Sequence, residues 1–134
     1  MPTMSMFDPM MNALQRVLDL RQQQHAVTAS NLANAETPGF RAKVLEFDET
    51  LSAIMKRAQS EMVNQRVPGH VTRLAVQAPD IEEVAPAPWS TDDNSVLPER
   101  EIARMQENSL MYRAVAEGLS RRLALLKYAA SDGR

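Results

Sequence analysis

The sequence predicts an all-α chain: long N- and C-terminal amphipathic helices forming a coiled-coil-like helical domain, a shorter middle helix, and a Pro-rich, loosely ordered central segment. Three observations predict this. Met10 to Asn34 contains neither Pro nor Gly and is dominated by helix formers. Ile102 to Ala130 repeats apolar residues at strict three-four spacing over about four heptads. Between them, Pro68 to Pro98 carries five of the eight prolines, a composition that suits extended backbone.

Taken in order, residues 1–9 form a flexible N-terminus with five methionines in the first eleven residues. Residues 10–64 form the N-terminal helical region. Asp8 is placed to cap its first helix and Pro9 to occupy the first helical position. At 1.5 Å per residue a helix of about 25 residues is roughly 37 Å long. Its seam reads Met11, Leu14, Leu18, Arg21, His25, Thr28, Leu32, Ala35, apolar at both ends and polar in the middle. Val17, Leu20 and Val27 occupy adjacent rows, which broadens the face or divides it among several neighbours.

Pro38 drives Thr37 out of helical geometry, so this helix stops before it, and Thr37-Pro38-Gly39 suits a turn with Pro38 second and Gly39 third. Val44, Phe47, Leu51, Ile54, Ala58 and Met62 then recur at helical spacing, predicting the shorter helix folded back beside the first. Residues 65–97 are the Pro-rich acidic loop, with room for one short strand over residues 70–76. From Pro79 to Pro98 there are five acidic residues and no basic one. Residues 98–134 form the C-terminal heptad helix, opened by Pro98, Glu99 and Glu101 and closed by Lys127 and Gly133, as the helix dipole favours. Its seam is Ile102, Met105, Ser109, Tyr112, Ala116, Leu119, Leu123, Leu126 and Ala130. Stripes this long leave apolar flank uncovered when only two helices pair, so Leu14, Leu18, Leu32, Ile102, Met105, Tyr112, Leu119, Leu123 and Leu126 are the candidate interface residues.

Composition bounds the function. The chain has 134 residues, enough for one modest domain, with 44% apolar and only 4% aromatic residues. Nine methionines suit adaptable helix contacts. A formal net charge of -2 offers no basic field to collect nucleic acid. The absence of Cys excludes disulfides, thiolate nucleophiles and cysteine zinc sites. No run approaches the roughly 18 apolar residues of a membrane span, and the N-terminus lacks the pattern of a cleavable secretory signal.

Chemistry finds little purchase. His25 and His70 are the two histidines, in different segments and outside any HExxH spacing. Asp80, Glu82 and Glu83, like Asp92 and Asp93, lie among prolines without apolar walls to perturb them. Four glycines form no phosphate-binding loop. A hydrolase built on His70 and Asp80 has no substrate to suggest it. The expectation is a structural protein without enzymatic activity or cofactor; a soluble helical adaptor or secretion chaperone is the alternative.

Ala29 to Phe40, ASNLANAETPGF, resembles the signature of the flagellar rod, hook and hook-associated family, the axial proteins of the bacterial flagellum. The signal lies in Ser30-Asn31-Leu32-Ala33-Asn34 followed by Thr37-Pro38-Gly39-Phe40 at the end of a first long helix, with a heptad helix closing the chain. Within the family the short chain, free of a large inserted domain, is most similar to a proximal rod member. Glu101, Met105, Asn108-Ser109-Leu110-Met111-Tyr112 and Ser120 also fit that member. The resemblance covers roughly residues 10–64 and 94–130. One departure is Asp93-Asn94-Ser95-Val96, which lacks the Gly often found just before this Asn.

The resemblance implies a structural subunit of the torque-transmitting rod in the periplasmic space, exported by the flagellar type III apparatus. Its implied partners are other rod proteins, further copies of itself, and components of the inner-membrane ring and export gate. Physically the signature makes an interface corner: Asn31 and Asn34 are suited to bond helix-terminal backbone groups, Pro38 and Gly39 to set the turn that follows Thr37, and Phe40 to anchor it.

Overall fold

In the computed structural model, residues 9–64 and 78–131 are described. The elements run in the order α1 (Pro9–Ala33), β1 (Lys43–Leu45), α2 (Phe47–Asn64), β2 (Ile81–Glu83) and α3 (Pro98–Ala130). The expected strand over residues 70–76 lies outside the described residues, as do residues 1–8.

α1 begins at Pro9, whose missing N–H costs nothing at a position where helix donors are unpaired anyway. It ends where the ladder gives way to turns: the Asn34 N–H donates to the Asn31 carbonyl at 3.1 Å and the Thr37 N–H to the Asn34 carbonyl at 3.0 Å. The predicted Thr-Pro-Gly turn is present. The Phe40 N–H closes it onto the Thr37 carbonyl at 3.2 Å, and Gly39 takes the left-handed φ of 73° that its third position requires.

The chain then runs back as β1, which pairs antiparallel with β2 in the register Lys43↔Glu83, Val44↔Glu82, Leu45↔Ile81. The Val84 N–H to the Ala42 carbonyl at 2.8 Å and the Glu46 N–H to the Asp80 carbonyl at 2.9 Å carry the pairing one step past each end. Three residues a side cannot hold a sheet alone. The ladder is steadied by α1, through bonds described below.

α2 opens with Asp48 and Glu49 in its first turn, where carboxylates complement the helix dipole. It lays Ile54 and Ala58 against Ala13, Val17 and Leu20 of α1, with Leu45 from β1 closing the core. Phe47, Leu51, Val27 and Val115 pack around that centre. Ala13 on α1 and Ala58 on α2 are small, which lets the two helices approach closely.

α3 begins at Pro98 with Glu99 and Glu101 in its first turn and has Lys127 in its last. It packs along α1 in an antiparallel sense, since Glu101 meets Asn31 while Asn108 meets Arg21. At 33 residues it is about 50 Å long.

The inward rows differ in part from the predicted seams. On α1 the buried positions include Ala13, Val17, Leu20 and Asn31, each one residue before Leu14, Leu18, Arg21 and Leu32, together with Thr28 of the seam itself. Val17 and Leu20 belong to the adjacent rows noted in the sequence. On α3 Glu101 and Asn108 are buried and Val115 packs on the core, rather than Ile102, Ser109, Ala116. One residue is about 100° of rotation. Close packing selects small side chains and bonded polar groups for the inner row, leaving the larger Leu and Met side chains beside it. From Ala78 onward the central segment carries little regular structure beyond β2 but is tied to the rest of the chain at several points. β2 pairs with β1, and the Ser95 N–H donates to the Phe40 carbonyl at 3.1 Å, the Gly39 N–H to the Asp92 carbonyl at 2.7 Å. Proline spacing reports the missing donors of a segment, not the acceptors and side chains that reach it from elsewhere.

Candidate assembly surface

The signature residues sit where α1 gives way to β1, and each has a separate task. Asn34 is the helix-end residue, its Nδ2 donating to the Ser30 carbonyl at 2.8 Å while its Oδ1 accepts from the Thr37 hydroxyl at 3.3 Å. Asn31 does something else. It is completely closed to solvent and treats the backbone of Lys43 as a strand partner: its Oδ1 accepts the Lys43 N–H at 2.8 Å and its Nδ2 donates to the Lys43 carbonyl at 2.7 Å. The second Nδ2 hydrogen goes to Oε2 of Glu101 at 3.1 Å. One amide therefore ties α1, β1 and α3 together. Phe40 is half-buried, and Pro38 and Gly39 are exposed on the outside of the corner.

Glu101 is 3% exposed. Its other oxygen accepts from Arg104 at 3.0 Å, so the carboxylate is bonded on both sides, as a buried charge must be. Farther along, the Asn108 Nδ2 donates to the Arg21 carbonyl at 2.8 Å and its Oδ1 accepts from the Arg21 guanidinium at 3.3 Å. The guanidinium stacks over Phe47 at 4.2 Å from the ring centre. Burial pushes the Arg21 pKa below its ordinary value, against the raising pull of Glu107 and Asp48. Its Nε is buried without a partner.

The corner is closed by Asn94, a residue that sequence reasoning named only as part of a departure. Its Nδ2 reaches the carbonyls of Asn34 and Ala35 at 3.0 Å and of Thr37 at 2.8 Å, and its Oδ1 accepts the Val96 N–H at 2.7 Å. It supplies, from 57 to 60 residues away, donors to the carbonyls of the turns that follow α1. Asp93 just before it adopts φ 56°, the left-handed conformation that the absent Gly would take without strain.

The candidate interface residues are distributed unevenly. Leu14, Leu18, Leu32, Met105 and Leu119 are half-buried, and Ile102, Tyr112, Leu123 and Leu126 are exposed. Sequence reasoning missed Leu110, Leu125 and Tyr128, which lie off the seam and are 67%, 69% and 62% exposed. The buried residues of α3 are Glu101 and Asn108, both polar. Its C-terminal half therefore presents apolar groups on more than one side to solvent, a state in which a long helix gains little from its own chain.

Among the described residues no group of three or more His, Asp or Glu side chains is placed to hold a metal, and no helix is long and apolar enough to cross a membrane. His25 and Asp80 are exposed; His70 lies outside the described residues.

The Flagella basal body rod protein family model matches residues 11–41, the span of α1 and its corner. A Yersinia enterocolitica protein, flagellar basal body rod protein FlgB, is 35% identical over 105 residues, covering 74% of this chain and 77% of its own length. The chain belongs to the FlgB family of flagellar basal body rod proteins. FlgB of Salmonella typhimurium is 32% identical over 105 residues, 74% of this chain and 76% of that protein. FlgB of Escherichia coli K12 is 31% identical over 112 residues, 79% and 81% of the two chains. The family motif thus coincides with the Asn31 and Asn34 corner. The signal that could have found Glu101 and Asn108 is polar residues standing in the row that Val115 shares, one position before the apolar seam.

Proposed function

We propose that this chain is a structural subunit of the flagellar basal body rod, at its proximal end, working as a passive mechanical element that transmits torque. The observation that carries this reading is the 33-residue α3, whose buried residues are two polar ones while Leu110, Leu123, Leu125, Leu126 and Tyr128 stand exposed. Apolar surface of that extent is stabilised only when another molecule covers it, at about 25 cal/mol per Å². In this reading the seam residues Leu14, Leu18 and Leu32 of α1 and Ile102, Met105, Tyr112, Leu119, Leu123 and Leu126 of α3 pack against neighbouring rod chains. The Asn31–Phe40 corner, held by Asn94, sets the geometry with which each subunit meets the next.

Family membership supports the rod as its location and other rod proteins and copies of itself as partners. The inner-membrane ring and the export gate are the neighbours expected of a proximal member, and the flagellar type III apparatus is its export route. The mechanism requires no bond to be made or broken.

The test is Leu123→Asp and Leu126→Asp, each in a cell otherwise able to swim. Both side chains are exposed, so the isolated chain should keep its helix content and thermal midpoint, while the variant is exported, fails to enter basal bodies and abolishes motility. Normal swimming by both variants, with the chain at ordinary copy number in purified basal bodies, contradicts the reading.

A further inference from the structure

Trp89 is the only tryptophan of the chain and is 83% exposed. It does not sit on a loose tail. The turn that carries it is closed by the Ser90 N–H donating to the Ala87 carbonyl at 2.9 Å. The Ser90 hydroxyl bonds the Asn94 carbonyl at 3.1 Å and Asp92 Oδ1 at 3.2 Å, and Asn94 is fastened to the α1 corner. The indole is thus held out into solvent on a pinned support, forgoing the 150–250 Å² that a buried aromatic ring removes from water. Around it, the stretch from Pro79 to Pro98 carries five acidic residues and no basic one.

A second feature matches it in shape and charge. Between α1 and α3 lies a cleft of about 260 Å³ walled in part by Arg21, His25, Ser109, Tyr112 and Arg113, with no carboxylate in its lining. Its surface is largely apolar, Arg113 supplies a guanidinium at its wall while that of Arg21 is engaged with Phe47 and Asn108, and Tyr112 offers an exposed ring. An indole flanked by Asp92 and Asp93 is a suitable occupant. The ring would stack on Tyr112 and meet Arg113 over its face, and the carboxylates would offset the guanidinium charge. The chain's own Trp89, exposed at the α1 corner, does not fill the chain's own cleft.

We propose that Trp89 of one copy enters the α1–α3 cleft of a neighbouring copy, with Asp92 and Asp93 facing Arg113. The inference rests on the reading of this chain as a rod subunit and names one contact within it. Because turn and cleft are different surfaces, the contact is heterologous, and repetition gives each copy one neighbour on either side. Trp, Tyr and Arg are the residues most enriched among those that dominate interface energies.

The absence of native Cys makes the test clean. Thr91→Cys stands two residues from the indole and Gln22→Cys on the cleft wall, and both positions are exposed. The double variant is introduced into swimming cells, oxidised with copper phenanthroline, and purified basal bodies are run without reductant. Expected are disulfide-linked multimers of this chain in the double variant, at least tenfold fewer in either single variant, and a tenfold loss when Trp89→Ala or Arg113→Glu is added. In a second measurement, the purified wild-type chain is concentrated until it associates. Its single-Trp emission should shift to the blue and become protected from acrylamide, and Arg113→Glu should prevent both changes. Basal bodies that hold the double variant without linked multimers overturn the contact and leave the rod reading standing. Multimers that persist in Trp89→Ala, or Trp89 emission unchanged on association, also overturn it. Linkage to a different rod protein overturns the choice of a second copy as occupant, and basal bodies lacking the wild-type chain overturn both readings.

Discussion

Asn31 and Glu101, 70 residues apart in the chain, share a hydrogen bond of 3.1 Å at a point where Asn31 is wholly closed to solvent and Glu101 nearly so. The bond joins the end of α1 to the start of α3 and, with the paired bonds from Asn31 to Lys43, brings β1 to the same place. An apolar stripe can slide by a turn against another with modest loss. A buried amide with one carboxylate and one backbone partner cannot, so the pair specifies the antiparallel register.

Replacing Asn31 by Leu leaves the Lys43 backbone groups and one Glu101 oxygen buried without partners. The expected cost is about 3 kcal/mol, read as a lower urea midpoint at unchanged slope. Asn31→Asp places a second carboxylate against Glu101 and the Lys43 carbonyl, so at neutral pH it should cost more than Leu. The crowded carboxylate pair has its folded-state pKa raised above the unfolded value, so the folded protein binds more protons and the variant regains stability as pH falls through the carboxylate range. A variant whose deficit is the same at pH 4 and pH 7 contradicts this arrangement.

Asn94→Ala removes the donors from three carbonyls of the turns that follow α1 and the acceptor from the Val96 N–H. These groups are partly exposed and water replaces some of the loss, so about 2 kcal/mol is expected. Hydrogen exchange should quicken in β1 and in the residues joining β2 to α3 before it quickens in α2. Uniform acceleration throughout the chain argues against a local clasp.

Two positions with left-handed backbone should respond in opposite directions. Gly39 at φ 73° has open space around a would-be Cβ, so Gly39→Ala pays only in backbone strain, about 1 kcal/mol. Asp93 at φ 56° already bears that strain, and Asp93→Gly should stabilise by about 0.5 kcal/mol. Thermal melts of the two variants side by side settle the signs.

Ile54 is buried in the core and Leu123 is exposed on α3, so stability and assembly should separate between them. Ile54→Ala is expected to cost about 2–4 kcal/mol, whereas Leu123→Ala should stay within about 0.5 kcal/mol in the isolated chain and still weaken incorporation into basal bodies. Comparable destabilisation of the isolated chain by both would place Leu123 in a core that the fold does not contain.

What the sequence by itself determined is local. The absence of Pro and Gly from Met10 to Asn34, the Thr37-Pro38-Gly39 turn, and the heptads of Ile102 to Ala130 act over four residues or fewer. Helix, corner and helix could therefore be read from the chain alone, and the signature with its Asn31 and Asn34 pointed to the family. What only the tertiary structure decided is which row of each helix faces inward, and what the polar residues do there. Adjacent rows differ by one residue, and a stripe of Leu and Met is equally suited to a neighbour in the same chain or in another. Whether Asn31, Glu101, Asn94 and Asn108 are solvated or buried depends on partners 57 to 87 residues distant. Hydrogen bonds at that separation leave no periodicity in the sequence, because their donors and acceptors are brought together only when the helices pack.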